Sequence, residues 1–152
     1  MIQIVVTPGP FAPAHELACF AAARNDQCGA LASFVGYCRG QAHGGAVTTL
    51  ELQHYPGFTE AEIDRLAQQV AAKHTLAALF VMHRVGVIRA GEAIVLVAAQ
   101  SAHRAAAFAA VEEMMDYLKT DAPLWKRETG ADGARWIEPT SEDYARRQEY
   151  GA

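Results

Sequence analysis

The chain has 152 residues, enough for one substantial core and too few for two independent ones, which predicts a single domain over 1–152. Apolar residues make up 51% and charged residues 20%, a globular balance that excludes a disordered chain. A net charge of -4 argues against nucleic acid as a partner, although a focused pocket can still hold a small anion.

Residues 2–6 (IQIVV) read as a short β-branched strand that ends at Pro8, Gly9 and Pro10. A helix is expected over 13–24, then a strand over 28–38 with 46–54 as its antiparallel partner. The GQAHGG connection between those two strands is glycine-rich, and loop 40–46 reads as a candidate lid. The next helix opens in TEAEIDRLAQQV, with Thr59 as cap, Glu62 three residues on, and Ile63, Leu66 and Val70 at helical spacing. Residues 76–88 and 93–100 read as strands around Ala90-Gly91, and the second is apolar enough to be buried on both faces. A long helix is predicted over 101–119, with Ser101 as cap and Phe108, Val111, Met115 and Leu118 as its core stripe. Pro123 stops it, RWIE (135–138) suggests a last strand, and a polar helix follows near 141–149. This order predicts an α+β fold, helices packed on a mostly antiparallel sheet.

Cys19, Cys28 and Cys38 form no C-x-x-C pair, an odd set that suits reduced thiols and a cytoplasmic protein. The opening MIQIVVTPGPF lacks a basic leader region, and no stretch approaches the ~20 apolar residues of a membrane span, so no membrane is expected as a partner.

Cations gather in SAHRAAAFAAVEEMMDYLKTDAPLWKRE (101–128). His103 and Arg104 stand at a helix start, where free N–H groups and the dipole favour an anion. The alternative there is a solvated first turn with Arg104 paired to an acid. Lys119 lies beside the Met115–Leu118 stripe, and Lys126 folded back past Pro123 would lower its pKa, the route to a nucleophilic or proton-carrying lysine. The alternative is a lysine that only complements a helix C-terminus. Arg39, closing FVGYCR before the glycine-rich loop, reads equally as an anion clamp or a sheet-edge charge. His54 and His83 precede tight turns and read as structural. No pair has zinc-ligand spacing, so neither a metal nor a cofactor is expected.

His103 and Lys119 are sixteen residues apart, roughly 24 Å along one helix at about 1.5 Å per residue. One straight helix cannot bring both to a small substrate. A shared site therefore requires two copies, and a homodimer with composite pockets is predicted.

GALASFVGYCRG, LELQHYPGFTE, HRVGVIRAGE, SAHRAAAF, DYLKTDAPLWKRE and RWIE run in order over about 28–138. Together they make the chain resemble the large, catalytic subunits of molybdopterin synthase. The resemblance implies an α/β-hammerhead fold with a small added sheet, and a dimer at the centre of a heterotetramer. It implies a partner: a small ubiquitin-like sulfur carrier ending in a Gly-Gly thiocarboxylate, whose tail enters the large subunit. It implies two successive sulfur transfers to cyclic pyranopterin monophosphate, giving the dithiolene of molybdopterin. By matching position it makes Tyr37, Cys38, Arg39, His103, Arg104, Lys119, Lys126, Arg127 and Glu128 pocket residues. Arg39 with His103 and Arg104 of a neighbouring protomer would hold the substrate phosphate. Lys119 would assist sulfur transfer at the thiocarboxylate carbonyl, as proton donor or through a transient acyl link. Lys126 would tune Lys119, and Glu128 would orient the cations or accept a proton. Tyr37, Cys38, Gln53 and Phe58 depart from the family's usual residues; Cys38 reads as a small apolar substitute for valine. Two other classes compete: a non-catalytic anion-binding module, and a lysine-dependent hydrolase or lyase acting without a protein partner.

Overall fold

A computed structural model describes residues 1–42 and 45–151. The elements are β1 (Ile2–Thr7), α1 (Pro13–Ala22), β2 (Ala30–Tyr37), β3 (Gln41–Ala42), β4 (Gly45–His54), α2 (Phe58–Lys73) and β5 (Ala78–Arg84), followed by β6 (Gly86–Arg89), β7 (Ala93–Ser101), α3 (Arg104–Thr120), β8 (Leu124–Gly130), β9 (Gly133–Ile137) and α4 (Ser141–Gln148). Two sheets result, one ordered β1-β5-β7-β2 and one ordered β3-β4-β8-β9 with β6 also on β4. Among the described residues only the β1–β5 pair is parallel. This is the α+β, hammerhead-like arrangement with a small added sheet. The lid expected of loop 40–46 lies partly outside the described residues, since 41–42 and 45–46 are strand and 43–44 are not described.

The first sheet carries the core. β5 is buried at every position and β7 at nearly every one, because helices cover both faces. Strand alternation sends Leu79, Val81 and Val97 toward α2 and α3, against Ile63, Val70 and Met114. Phe80, Met82 and Leu96 point the other way, onto Phe20 of α1.

Several expectations are corrected. Residues 46–54 do not pair with 28–38. β2 runs instead along β7, from Ala30 opposite Ser101 to Tyr37 opposite Ala93. The ladder breaks between Gly36 and Tyr37, and the chain leaves for the second sheet before the next strand begins. Residues 76–88 likewise split into β5 and β6 at Gly86, whose φ of 84° suits glycine and turns the chain between sheets. Ser101 does not cap α3: it stays paired in β7, and its hydroxyl donates to the carbonyl of His103. The helix therefore begins at Arg104.

Phe108 is 66% exposed, whereas Ala107, Ala110, Val111, Met114 and Leu118 are buried. Two stripes at three-four spacing compete on α3, and the alanine-bearing one wins because small residues allow close approach to the sheet. Thr59 is not a cap either. Gly57 takes that position with φ 84°, and its N–H donates to Glu60. Thr59 is buried; its hydroxyl accepts from the Tyr55 N–H at 2.8 Å and donates to the Pro123 carbonyl at 3.0 Å. That staple fixes where β8 begins.

Midway along α3 the carboxylate of Glu113, 2% exposed, accepts from His74 at 2.6 Å, Tyr117 at 3.0 Å and Lys73 at 3.2 Å. Burial raises its pKa, but these three donors outweigh burial and leave it lowered. No helix among the described residues is long and apolar enough to cross a membrane.

Because the folded Glu113 is the stronger acid, its contribution is fully present above the unfolded value of 4.5 and is lost as pH falls through the folded one. Glu113→Gln should cost about 1–3 kcal/mol at neutral pH and flatten the loss of stability in acid. Urea midpoints across pH 3–7 check this, and an unchanged acid slope would contradict the assignment.

Candidate active site: a lysine pair where three cavities meet

Lys119 sits in the last turn of α3, exposed to solvent. Past Pro123 the chain reverses into β8, a strand where the sequence suggested only a fold-back, and pairs antiparallel with β4. Alternation along β8 turns Leu124, Lys126 and Glu128 inward, toward Leu50 and α3. Lys126 thereby returns beside Lys119, half-buried and close enough to feel its charge.

Three cavities of about 310, 400 and 530 Å³ share these two lysines in their walls. The first contains Tyr37, Cys38, Arg39 and Glu128, and is closed by Pro139, Thr140 and Asp143 from the tail. The second is mostly apolar, with Phe34, Ile94, Met115 and Leu118, and includes Arg39 and His83. The third runs outward between Trp125, Trp136 and Tyr144.

Burial first, then the neighbouring Lys119 cation, bring the pKa of Lys126 down to about 8, against a small opposing pull from Asp143. The depression thus falls on Lys126, the reverse of the direction expected from sequence. At pH 7 about one Lys126 in ten is a free amine, against roughly one in three thousand for an ordinary lysine. Asp143 is itself held acidic: burial works against this, but its hydrogen bonds with Thr140 and the charges of the two nearby lysines outweigh it.

The other candidates divide. Arg39 is exposed and makes no ion pair among the described residues, so it is available to an anion. Glu128 meets Arg135 at 3.4 Å. Cys38 is buried with Leu50, Leu52 and Ile88, and burial, then Glu128 and Glu92, push its thiol pKa up. A thiol held protonated is a poor nucleophile, in keeping with an apolar role. Arg127 faces away from the cavities, because β8 alternation puts it on the outer side, 3.1 Å from Glu51 and over the Trp136 ring. His103 and Arg104 are exposed at the opposite end of α3 and line none of these cavities.

Sequence reading missed the tail. Thr140 and Asp143 cap α4 reciprocally, at 2.8 and 3.1 Å, a spacing legible in the sequence. Nothing in that spacing says that α4 folds back over the lysines. It is held there by ion pairs from Arg146 to Asp116 and Glu112, and from Arg147 to Asp121.

The family described as MoaE protein matches residues 6–121, three quarters of the chain. The chain belongs to the MoaE family. It is 48% identical over 140 residues to the molybdopterin synthase catalytic subunit of Caulobacter vibrioides, covering 92% of this chain and 91% of that one. Among solved structures it resembles the molybdopterin biosynthesis MoaE protein of Burkholderia ambifaria, with a TM-score of 0.83 at 39% identity over 100% and 99% of the two chains. The molybdopterin synthase of Staphylococcus aureus follows at 0.77 and 26%, over 89% and 95%. The hammerhead-like fold read from the motifs is therefore that of this family.

Replacing Lys119 by methionine removes the adjacent cation and should raise the Lys126 pKa from about 8 toward 10.5. The pH dependence of amine labelling at Lys126, read by peptide mass spectrometry, measures it. A midpoint still at about 8 would rule out the coupling.

Proposed function

We propose that this chain is the catalytic, large subunit of a molybdopterin synthase, a sulfurtransferase of molybdenum cofactor biosynthesis. It moves sulfur from the C-terminal thiocarboxylate of a small ubiquitin-like carrier to cyclic pyranopterin monophosphate. The observation that carries this reading is the Lys119–Lys126 pair at the junction of three cavities.

A thiocarboxylate is an anion, and two lysines in a partly desolvated pocket attract it strongly. Its sulfur bonds to a carbon of the substrate side chain as a carbon–oxygen bond there breaks and the oxygen leaves; the sulfur is then still acylated, and the acyl carbon–sulfur bond must break. Attack on the carbonyl by water releases the carrier's carboxylate and leaves the thiol on the substrate. Attack by the Lys119 amine gives the same thiol and a transient amide, which water then hydrolyses. Either route needs a cation beside the developing oxyanion and a nearby proton acceptor. Lys119 faces the carbonyl, and Lys126, with its pKa about 8, accepts the proton. Glu128 orients the cations. No bound metal or cofactor enters these steps.

The outward cavity between Trp125 and Trp136 suits an extended tail ending in two glycines, which have no side chains to clash there. Arg39 holds the substrate phosphate together with His103 and Arg104 of a second copy. A dimer is supported by the span of α3, about 24 Å from His103 to Lys119. It is also supported by exposed Phe34 on edge strand β2 and Phe108 on α3, apolar surface that another copy would cover. Tyr37 stands at the pocket mouth, whereas Arg127 braces β8 against β4. We place the reaction in the cytoplasm, where Cys19, Cys28 and Cys38 remain reduced.

The decisive experiment combines the protein with cyclic pyranopterin monophosphate and a thiocarboxylated carrier, then assays molybdopterin. Lys119→Ala should lower turnover by about a hundredfold or more while dimerisation persists. Full activity would defeat the role. Mixing inactive His103→Ala and Lys119→Ala chains should restore about a quarter of the sites, because half of the dimers are mixed and each has one intact pocket. No recovery on exchange would exclude a shared pocket.

A further inference from the structure

Arg84 ends β5 and is only 5% exposed, so its charge has to be answered inside the protein. Its Nη1 donates to the Glu92 carboxylate at 2.7 Å, and its Nη2 donates to the Val87 carbonyl at 2.9 Å. The other carboxylate oxygen of Glu92 accepts from the Arg89 N–H at 2.8 Å. The hydrogen bond from Arg84, then that from Arg89, hold Glu92 below the usual carboxylate range, so the pair stays ionised at neutral pH. Arg84 thereby grips the turn between β6 and β7 from the rigid first sheet. Its Nε finds no partner. A buried pair of this kind adds little net stability, because desolvation offsets the attraction. Its effect lies in what the turn holds.

The turn holds the end of β2. Past the break at Gly36 and Tyr37, the Cys38 N–H donates to the Glu92 carbonyl at 2.9 Å. The Gly91 N–H donates in return to the Cys38 carbonyl at 2.7 Å. On the other side of Arg39, the Gly40 carbonyl accepts from the Val47 N–H at 3.0 Å. Arg39 therefore stands on backbone clasped at both ends, with its side chain in the walls of the 310 and 400 Å³ cavities.

We infer that Arg84 and Glu92 are positioning residues for Arg39: the buried pair locks the turn, the turn clasps Cys38, and the clasp sets where the Arg39 guanidinium meets the substrate phosphate. This rests on the reading of Arg39 as a phosphate clamp and deepens it. A guanidinium grips phosphate through two parallel N–H groups, so its angle matters along with its charge.

Two substitutions loosen the turn. Glu92→Gln turns an amide N–H₂ toward either Arg84 or the Arg89 N–H, so one of the two bonds is lost. Arg84→Met leaves no charge buried, since Glu92 is partly exposed, and should fold as stably as the parent chain. In either variant, on the protein alone, amide exchange at Cys38 and Gly91 should quicken about fivefold or more. With the thiocarboxylated carrier, kcat/KM for cyclic pyranopterin monophosphate should fall about tenfold. In an Arg39→Ala background the same substitutions should change kcat/KM by less than about twofold, because the residue they position is gone. A merely structural role would lower both backgrounds alike.

Unchanged exchange at Cys38 and Gly91 overturns the inference whatever the assay gives. Losses that add to that of Arg39→Ala overturn it too, as does full turnover in Glu92→Gln and Arg84→Met when Arg39→Ala is impaired. Quickened exchange with full turnover in all three variants upholds the clasp and sinks instead the reading of Arg39 as the phosphate clamp.

Discussion

Two lysine side chains, one at the end of α3 and one two residues into β8, are held against each other in a partly dry pocket. Bringing like charges together and stripping water from one of them opposes folding. Keeping Lys126 charged there costs of order 3 kcal/mol, the equivalent of its displacement from 10.5 to about 8. The contact persists because the backbone enforces it: β8 is laddered to β4 on one side and to β9 on the other. Its first turn is stapled by the Thr59 hydroxyl to the Pro123 carbonyl.

The two sheets accordingly do different work. The first has helices on both faces, and its central strands are buried through and through. It is the rigid platform from which α3 presents Lys119. The second sheet is thinner and more exposed, and its inner face supplies Lys126 and Glu128. α4, tied to α3 through Arg146 and Arg147, closes the pocket and brings Asp143 within electrostatic reach of both lysines. The site thus lies between a deeply buried core and a thinner, more exposed sheet.

Errors in reading the sequence have a common cause. Phe108, Met115, Val111 and Leu118 satisfy helical spacing, and so do Ala107, Ala110, Met114 and Leu118; spacing cannot say which stripe meets the sheet. Thr59 has the chemistry of a cap, but a glycine two residues earlier occupies that position and frees the hydroxyl for a carbonyl sixty-four residues away. Residues 46–54 look like the natural partner of 28–38 by proximity. The apolar β7 claims β2 instead, because a strand buried on both faces needs neighbours along its length.

Local signals in the chain were enough to place most helices and strands, to gather Lys119, Lys126 and Arg39 as candidates, and to expose the family through its motifs. They sufficed because capping, periodicity and proline stops act over a few residues, and because motif order survives in the linear text. Which lysine loses its proton, that Arg127 points outward, that the tail covers the pocket and that His83 borders it were decided only in three dimensions. Each depends on desolvation and on contacts between residues far apart in the chain, quantities that no local pattern encodes.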